Sequence, residues 1–190
     1  MKKKFGQNFL INQTIIDKIL NSANLNNNSF VYEVGPGDGA LTKEIIKANP
    51  KQYLAVEIDE SLKPKLEKEF FKKNHKLIFA NALKLNERIF FEKNAVIIAN
   101  LPYNISLQLL LKWVHQHALN PWFNMMVLMF QKEVGERILS DENSKKFGRI
   151  TLIVSAFFKI SKVTNVSKND FFPVPSVESV VLKFESLKKP

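Results

Sequence analysis

The chain has 190 residues, 45% of them hydrophobic, which suits one domain with a substantial core and is too apolar for a disordered chain. Lys and Arg number 28 against 18 Asp and Glu, a net charge of +10, so the surface attracts polyanions, nucleic acid first among them. The absence of cysteine excludes disulfides and thiolate metal sites, and no apolar run approaches the length of a membrane span.

Met1-Lys2-Lys3-Lys4 leads into Phe5-Gly6-Gln7-Asn8 rather than into the hydrophobic segment of a signal peptide. A basic N-terminal arm and a cytosolic location are therefore expected. Ile15, Ile16, Ile19, Leu20 and Ala23 fall at helical spacing and predict a helix over Thr14 to Ala23, one face against the domain. Phe30 to Val34 reads as a strand that runs straight into Gly35-Pro36-Gly37-Asp38-Gly39, and Ala40 to Ile46 then has a helical pattern. This is the first strand-to-helix turn of a dinucleotide-type fold, where glycines let the backbone approach a ligand closely. The spacing departs from G-x-G-x-x-G, because Ala40, Leu41 and Thr42 follow where a third glycine would fall, and no Lys stands in the turn for a phosphate. The next apolar run, Tyr53 to Val56, ends at Glu57, whose carboxylate can accept hydrogen bonds from two ribose hydroxyls. Together these features point to an adenosine-containing cofactor without a pyrophosphate, and S-adenosylmethionine fits. An ordinary connection with a surface Glu would use the same residue types.

Further strands are predicted at Leu77 to Ala80, Ala95 to Ala99 and Met125 to Phe130, with amphipathic or Lys/Glu-rich stretches from Ser61 to Lys73 and Ser106 to His117. Strands alternating with helices predict a parallel, doubly wound sheet. The end differs: Ile150 to Val163 and Val177 to Glu185 are β-rich with Pro173 and Pro175 between them, which predicts an antiparallel hairpin and about seven strands in all. After the run Ala95 to Ala99 comes Asn100-Leu101-Pro102-Tyr103. Asn100 can accept from an exocyclic amino group, Pro102 fixes the turn, and Tyr103 offers a ring to a flat base. That is the outline of a nucleobase N-methyltransferase, although a plain turn also favours Asn and Pro. His75, His115 and His117 lack a ligand spacing, so no metal is expected.

Taken in order, Phe5-Gly6-Gln7-Asn8-Phe9-Leu10, Glu33-Val34-Gly35-Pro36-Gly37, Glu57, Asn100 to Ser106, Gln131-Lys132-Glu133-Val134 and Phe171 to Ser179 make the chain resemble the ribosomal RNA adenine N6-dimethyltransferases, particularly the bacterial small-subunit branch linked to kasugamycin sensitivity. The resemblance implies a Rossmann-like class I S-adenosylmethionine-dependent methyltransferase fold, mostly parallel with a C-terminal antiparallel hairpin. It implies dimethylation at N6 of adenosines near the 3′ end of small-subunit (16S) rRNA during ribosome maturation. The expected partners are that rRNA and the immature small subunit, with no membrane and a monomeric protein. Asn8 and Leu10 would close over the methionine end of S-adenosylmethionine, Gly35 and Gly37 would line it, and Glu57 would bind its ribose. Asn100 would bridge cofactor and target. Where the family usually carries an Asp at the cofactor adenine, this chain has Asn81, whose carbonyl oxygen can still accept from the adenine N6. The family continues into a small helical domain that residues 1–190 lack, so the expectation is a catalytic domain shortened at its end.

In the implied reaction Asn100 and the Leu101 carbonyl hold the target N6, and Tyr103 and Phe171 stack the flipped base, with Phe171 favoured over Phe172 by the family's register. Lys2, Lys3, Lys4, Lys132, Arg137, Lys145, Lys146 and Arg149 are candidates for a phosphate-binding surface. Three other readings use the same chemistry: a large-subunit rRNA methylase conferring antibiotic resistance, a non-catalytic RNA-binding assembly factor, and a DNA adenine methyltransferase. Intact Asn100, Pro102 and Tyr103 argue against lost catalysis, and no target-recognition region for DNA is evident.

Overall fold

Short, almost wholly apolar runs become strands buried on both faces, and the chain between most of them returns through helices or short helical turns. The computed structural model describes residues 7–70 and 72–187, so the arm Lys2, Lys3 and Lys4 and the pair Phe5-Gly6 lie outside the described residues. In chain order the elements are β1 (Phe9–Leu10), α1 (Gln13–Ala23), β2 (Phe30–Val34), α2 (Ala40–Lys47), β3 (Gln52–Glu57), α3 (Lys63–Leu66), β4 (His75–Phe79), β5 (Ala95–Ala99), α4 (Tyr103–Leu119), β6 (Phe123–Gln131), α5 (Lys132–Ile138), α6 (Arg149–Ser155), β7 (Phe158–Val166), β8 (Phe171–Phe172) and β9 (Ser179–Ser186). Seven strands form one sheet in the order β4-β3-β2-β5-β6-β9-β7. Strands β2 to β6 pair in parallel, while β9 runs antiparallel between β6 and β7. The predicted mostly parallel sheet with an antiparallel C-terminal pair is thus the observed one. Strand order reverses between β2 and β5, the crevice where open α/β sheets bind ligands.

The period of two along each strand splits the core. Tyr32, Leu54, Ile97, Met126 and Leu128 face one side, under Leu109, Leu110, Trp113 and Val114 of α4. Val31, Ala55, Ile98, Val127 and Met129 face the other, under Ile15, Ile16 and Ile19 of α1 and Leu41 and Ile45 of α2. Helix α1 starts where the Asn12 side chain accepts from Thr14 N at 2.9 Å and stops at Asn24, which takes the left-handed conformation (φ 49°). Gly135 lets α5 lie on β9: a Cβ there would stand 2.1 Å from Val180 Cγ1. Among the described residues no helix is long and apolar enough to cross a membrane.

Two expectations need correction. Ile150 to Ser155, read as part of a β-rich run, is helix α6, with the strand starting only at Phe158. Thr151 and Val154, three apart, are its buried residues, while Leu152 and Ile153 face outward. Thr151 Oγ1 donates to the Arg137 carbonyl at 2.8 Å, so tertiary contact with α5 overrides the β-branched composition. The stretch from Ser61 to Lys73 also makes no continuous helix. It breaks into a 3₁₀ turn (Glu60–Leu62), four-residue α3 and a second 3₁₀ turn (Glu67–Glu69), because Leu66 alone among these elements is buried and no apolar face accumulates.

Candidate active site

The carboxyl ends of β2, β3 and β5 meet one cavity, and every catalytic or cofactor-binding candidate from the sequence lines it: Asn8, Leu10, Gly35, Gly37, Glu57, Asn81, Asn100, Leu101, Pro102, Tyr103 and Phe171. None of the described phosphate-binding candidates does. The glycine turn after β2 supplies one wall. Gly35 and Gly37 have φ of 70° and 59°, a region that L side chains adopt rarely, so the wall is bare backbone. A Cβ on Gly37 would approach the Phe9 ring to 3.0 Å.

Glu57, the last residue of β3, is 3% exposed and organises the adjoining wall. Its Oε2 accepts from Gly37 N at 3.1 Å, and its Oε1 accepts from Ile58 N at 2.8 Å and Asp59 N at 3.0 Å. The carboxylate therefore ties two loops together while keeping a lone pair on Oε2 for another donor. Asn81 Oδ1 accepts from Leu83 N at 3.0 Å in an Asx turn, again with one lone pair to spare. Asn100 donates Nδ2 to the Asn8 carbonyl at 3.2 Å, which fixes the orientation of its amide. Tyr103 opens α4, and its hydroxyl is 2.7 Å from Ser179 Oγ on β9.

The roof is the two-stranded sheet of β1 and β8, in which Leu10 pairs with Phe171 and Phe9 with Phe172. Alternation sends Leu10 and Phe171 inward, to 3% and 1% exposure, and leaves Phe172 68% exposed. The ring that the Pro-stiffened loop presents to solvent is thus Phe172, whereas Phe171 forms a wall and offers no open face while β1 is paired to it. Sequence reasoning gave no role to Phe9, which covers Gly37, or to Ser179, which anchors Tyr103. Both sit inside quoted motifs, so position in the motif was the available signal.

These walls fit an adenosylated, non-phosphorylated cofactor. The bare glycine backbone, the spare lone pair of Glu57 and the acceptor on Asn81 match the ribose and adenine. The cavity measures about 80 Å³, and the Phe9 ring lies over Gly37 at its edge.

Behind the glycine turn, Glu33 is fully buried and accepts from Thr42 Oγ1 at 2.8 Å and from the Tyr53 hydroxyl. Burial pushes its carboxyl up to about 7, against the opposing pull of the Tyr53 and Thr42 bonds. The folded state binds this proton more tightly than the unfolded chain, whose group titrates near 4.5, so stability falls as pH rises from 4.5 through 7. Between pH 5.5 and 8 the loss is expected to be about 2 kcal/mol. Urea denaturation of the wild type and of Glu33→Gln at both pH values checks this, since the substitution should remove most of the difference.

The whole chain, residues 1–190, matches the family model described as ribosomal RNA adenine dimethylase. It is 39% identical over 183 residues to the ribosomal RNA small subunit methyltransferase A of Pelagibacter ubique, covering 96% of this chain and 69% of that one. The protein of the same name from Mycoplasmopsis pulmonis is 41% identical over 187 residues, covering 98% and 71%. A solved dimethyladenosine transferase from Plasmodium falciparum superposes with a TM-score of 0.84 at 33% identity, covering 94% of this chain and 63% of its own. The chain thus spans about seven tenths of the curated relatives' length.

Proposed function

Because the chain belongs to the ribosomal RNA adenine dimethylase family, we propose that it transfers methyl groups from S-adenosylmethionine to N6 of adenosines near the 3′ end of small-subunit rRNA, giving N6,N6-dimethyladenosine. The observation that carries this reading is the convergence of the Asn100 to Tyr103 turn, the glycine turn and Glu57 on one cavity. Residues 1–190 act as the catalytic module. The substrate is the immature small subunit, and the protein works as a cytoplasmic monomer.

When bound, S-adenosylmethionine would supply an electrophilic methyl on its sulfonium, whose C–S bond breaks as the N–C bond forms and leaves its electron pair on a neutral thioether. Glu57 holds the ribose, Asn81 the adenine, and Gly35, Gly37, Asn8 and Leu10 enclose the remainder. The N6 lone pair of the target adenine is delocalised into its ring, which makes it a poor nucleophile. Asn100 Oδ1 and the Leu101 carbonyl accept its two N–H groups, draw the nitrogen toward tetrahedral geometry and aim its lone pair. Pro102 fixes the turn that holds these acceptors. The proton becomes acidic once nitrogen has formed its new bond and passes to water, so no strong base is needed. Alignment and fixed dipoles supply most of the rate. The target must leave its helix or stack, and Tyr103 supports the flipped ring.

Incubation with labelled S-adenosylmethionine and undermethylated small subunits, followed by mapping of the label, tests the reading. Dimethyladenosine near the 3′ end of the rRNA is the expected result, and bound cofactor without any transfer to rRNA would sink it. Base stacking contributes roughly 1–3 kcal/mol, so Tyr103→Ala is expected to slow transfer about 5- to 150-fold with cofactor affinity unchanged. Tyr103→Phe, which loses only the bond to Ser179, should retain most activity. Equal loss of transfer and cofactor binding in Tyr103→Ala would make Tyr103 a support for the fold.

A further inference from the structure

A second depression of about 690 Å³ lies beside the catalytic turn, between α4, α5 and α6. Its floor is apolar, with Leu107 and Leu111 from α4, Phe147, and Ile153 from α6. Leu111 and Ile153 are 41% and 43% exposed. Arg137, Lys145, Lys146 and Arg149 also line it, and no carboxylate does. Arg137 and Lys146 are paired with Glu133 and Glu136 at the surface, where such pairs are weak and readily exchanged for a phosphate. Lys145 and Arg149 make no ion pair among the described residues.

Helix geometry links this groove to the chemistry. Tyr103 begins α4, so Leu107 and Leu111 follow about 6 and 12 Å further along its axis. Helix α5 follows directly from β6, the sheet neighbour of β5, which Asn100 follows. An apolar floor with a cationic rim complements an unstacked base with its phosphates. We propose that this groove binds single-stranded RNA nucleotides flanking the target adenosine, with bases against Leu107, Leu111 and Ile153 and phosphates at Lys145 and Arg149. The inference rests on the methyltransfer reading for the word target, but its binding claim is tested separately.

The double variant Lys145→Ala/Arg149→Ala and the single variant Leu111→Ser are compared with wild type for binding a synthetic RNA copy of the small-subunit 3′ end across a salt series. The double variant is expected to bind about tenfold more weakly, with its log–log salt slope shallower by about 1.4, as the loss of two phosphate contacts to a single strand requires. Leu111→Ser should weaken binding about threefold at an unchanged slope, since it removes a base contact and no charge. S-adenosylmethionine binding and urea midpoints should not move in either variant, which separates the groove from the fold. Unchanged affinity and slope in the double variant overturn the proposal. Transfer to undermethylated subunits by wild type reports on the enzymatic reading alone: transfer with unaltered RNA affinity in the variants sinks only the groove. Weakened binding without any wild-type transfer sinks only the methylation.

Discussion

Asn100→Ala is expected to lower the single-turnover rate of methyl transfer by roughly 10²- to 10³-fold, the loss typical when one preorganised polar group is removed from a reacting centre. The side chain stands immediately after β5, and its Nδ2 bond to the Asn8 carbonyl orients the amide. Alanine removes the acceptor for the target amino group and also unties the segment that roofs the cavity. Cofactor affinity should therefore fall as well, but by far less than the rate. Asn100→Asp keeps an oxygen acceptor and loses the donor to Asn8, so it should retain more transfer than alanine. Rates with undermethylated subunits, paired with calorimetric cofactor titrations, separate the two effects. A rate within a few-fold of wild type for the alanine variant would remove Asn100 from the chemistry.

The second large effect concerns stability. Glu87 is fully buried and accepts from Lys112 Nζ at 2.7 Å, Trp113 Nε1 at 3.1 Å and Gln116 Nε2 at 3.1 Å. Lys112 also donates to the carbonyls of Ala82 and Leu85, at 2.7 and 2.6 Å. Glu87→Ala leaves a largely enclosed ammonium without its counter-charge and two donors without their acceptor. Breaking a buried pair in this way costs about 3–5 kcal/mol, readable as a drop in urea midpoint at unchanged slope. The same substitution should weaken cofactor binding without touching the cavity, because Lys112 pins Ala82 directly after Asn81. A loss below 1 kcal/mol would mean that water reaches Lys112 as soon as Glu87 is gone.

The strands from Phe30 to Val34 and from Ala95 to Ala99 were legible because both faces of each are covered, which writes continuous apolar runs into the chain. Asn100, Glu57 and the glycine turn were legible for a related reason: strand ends at a switch point are where chemistry collects, and short polar or glycine residues punctuate the runs there. Helix α6 was not legible, since its Ile, Leu and Val fit either period over seven residues and the contact with Arg137 that decides the matter is not local. The difference between Phe171 and Phe172 was equally hidden. It depends on which of two adjacent rings faces inward once β8 pairs with β1, and only the register shows that. The cations Arg137, Lys145, Lys146 and Arg149 stood out in the sequence, but the groove did not, because Leu107 and Arg149 come to border one depression only in the folded chain.

The roof of the cavity joins Leu10 to Phe171, residues near opposite ends of the described chain. A wall built from such distant segments forms late: β1 precedes β8 by about 160 residues and must wait for it before it has a partner. The sheet has the same property, because β9 inserts between β6 and β7 and arrives after both. Contacts of such long sequence separation slow folding and form late. Affinity for the cofactor should therefore be among the last properties the chain acquires, appearing together with native stability rather than in any earlier collapsed state.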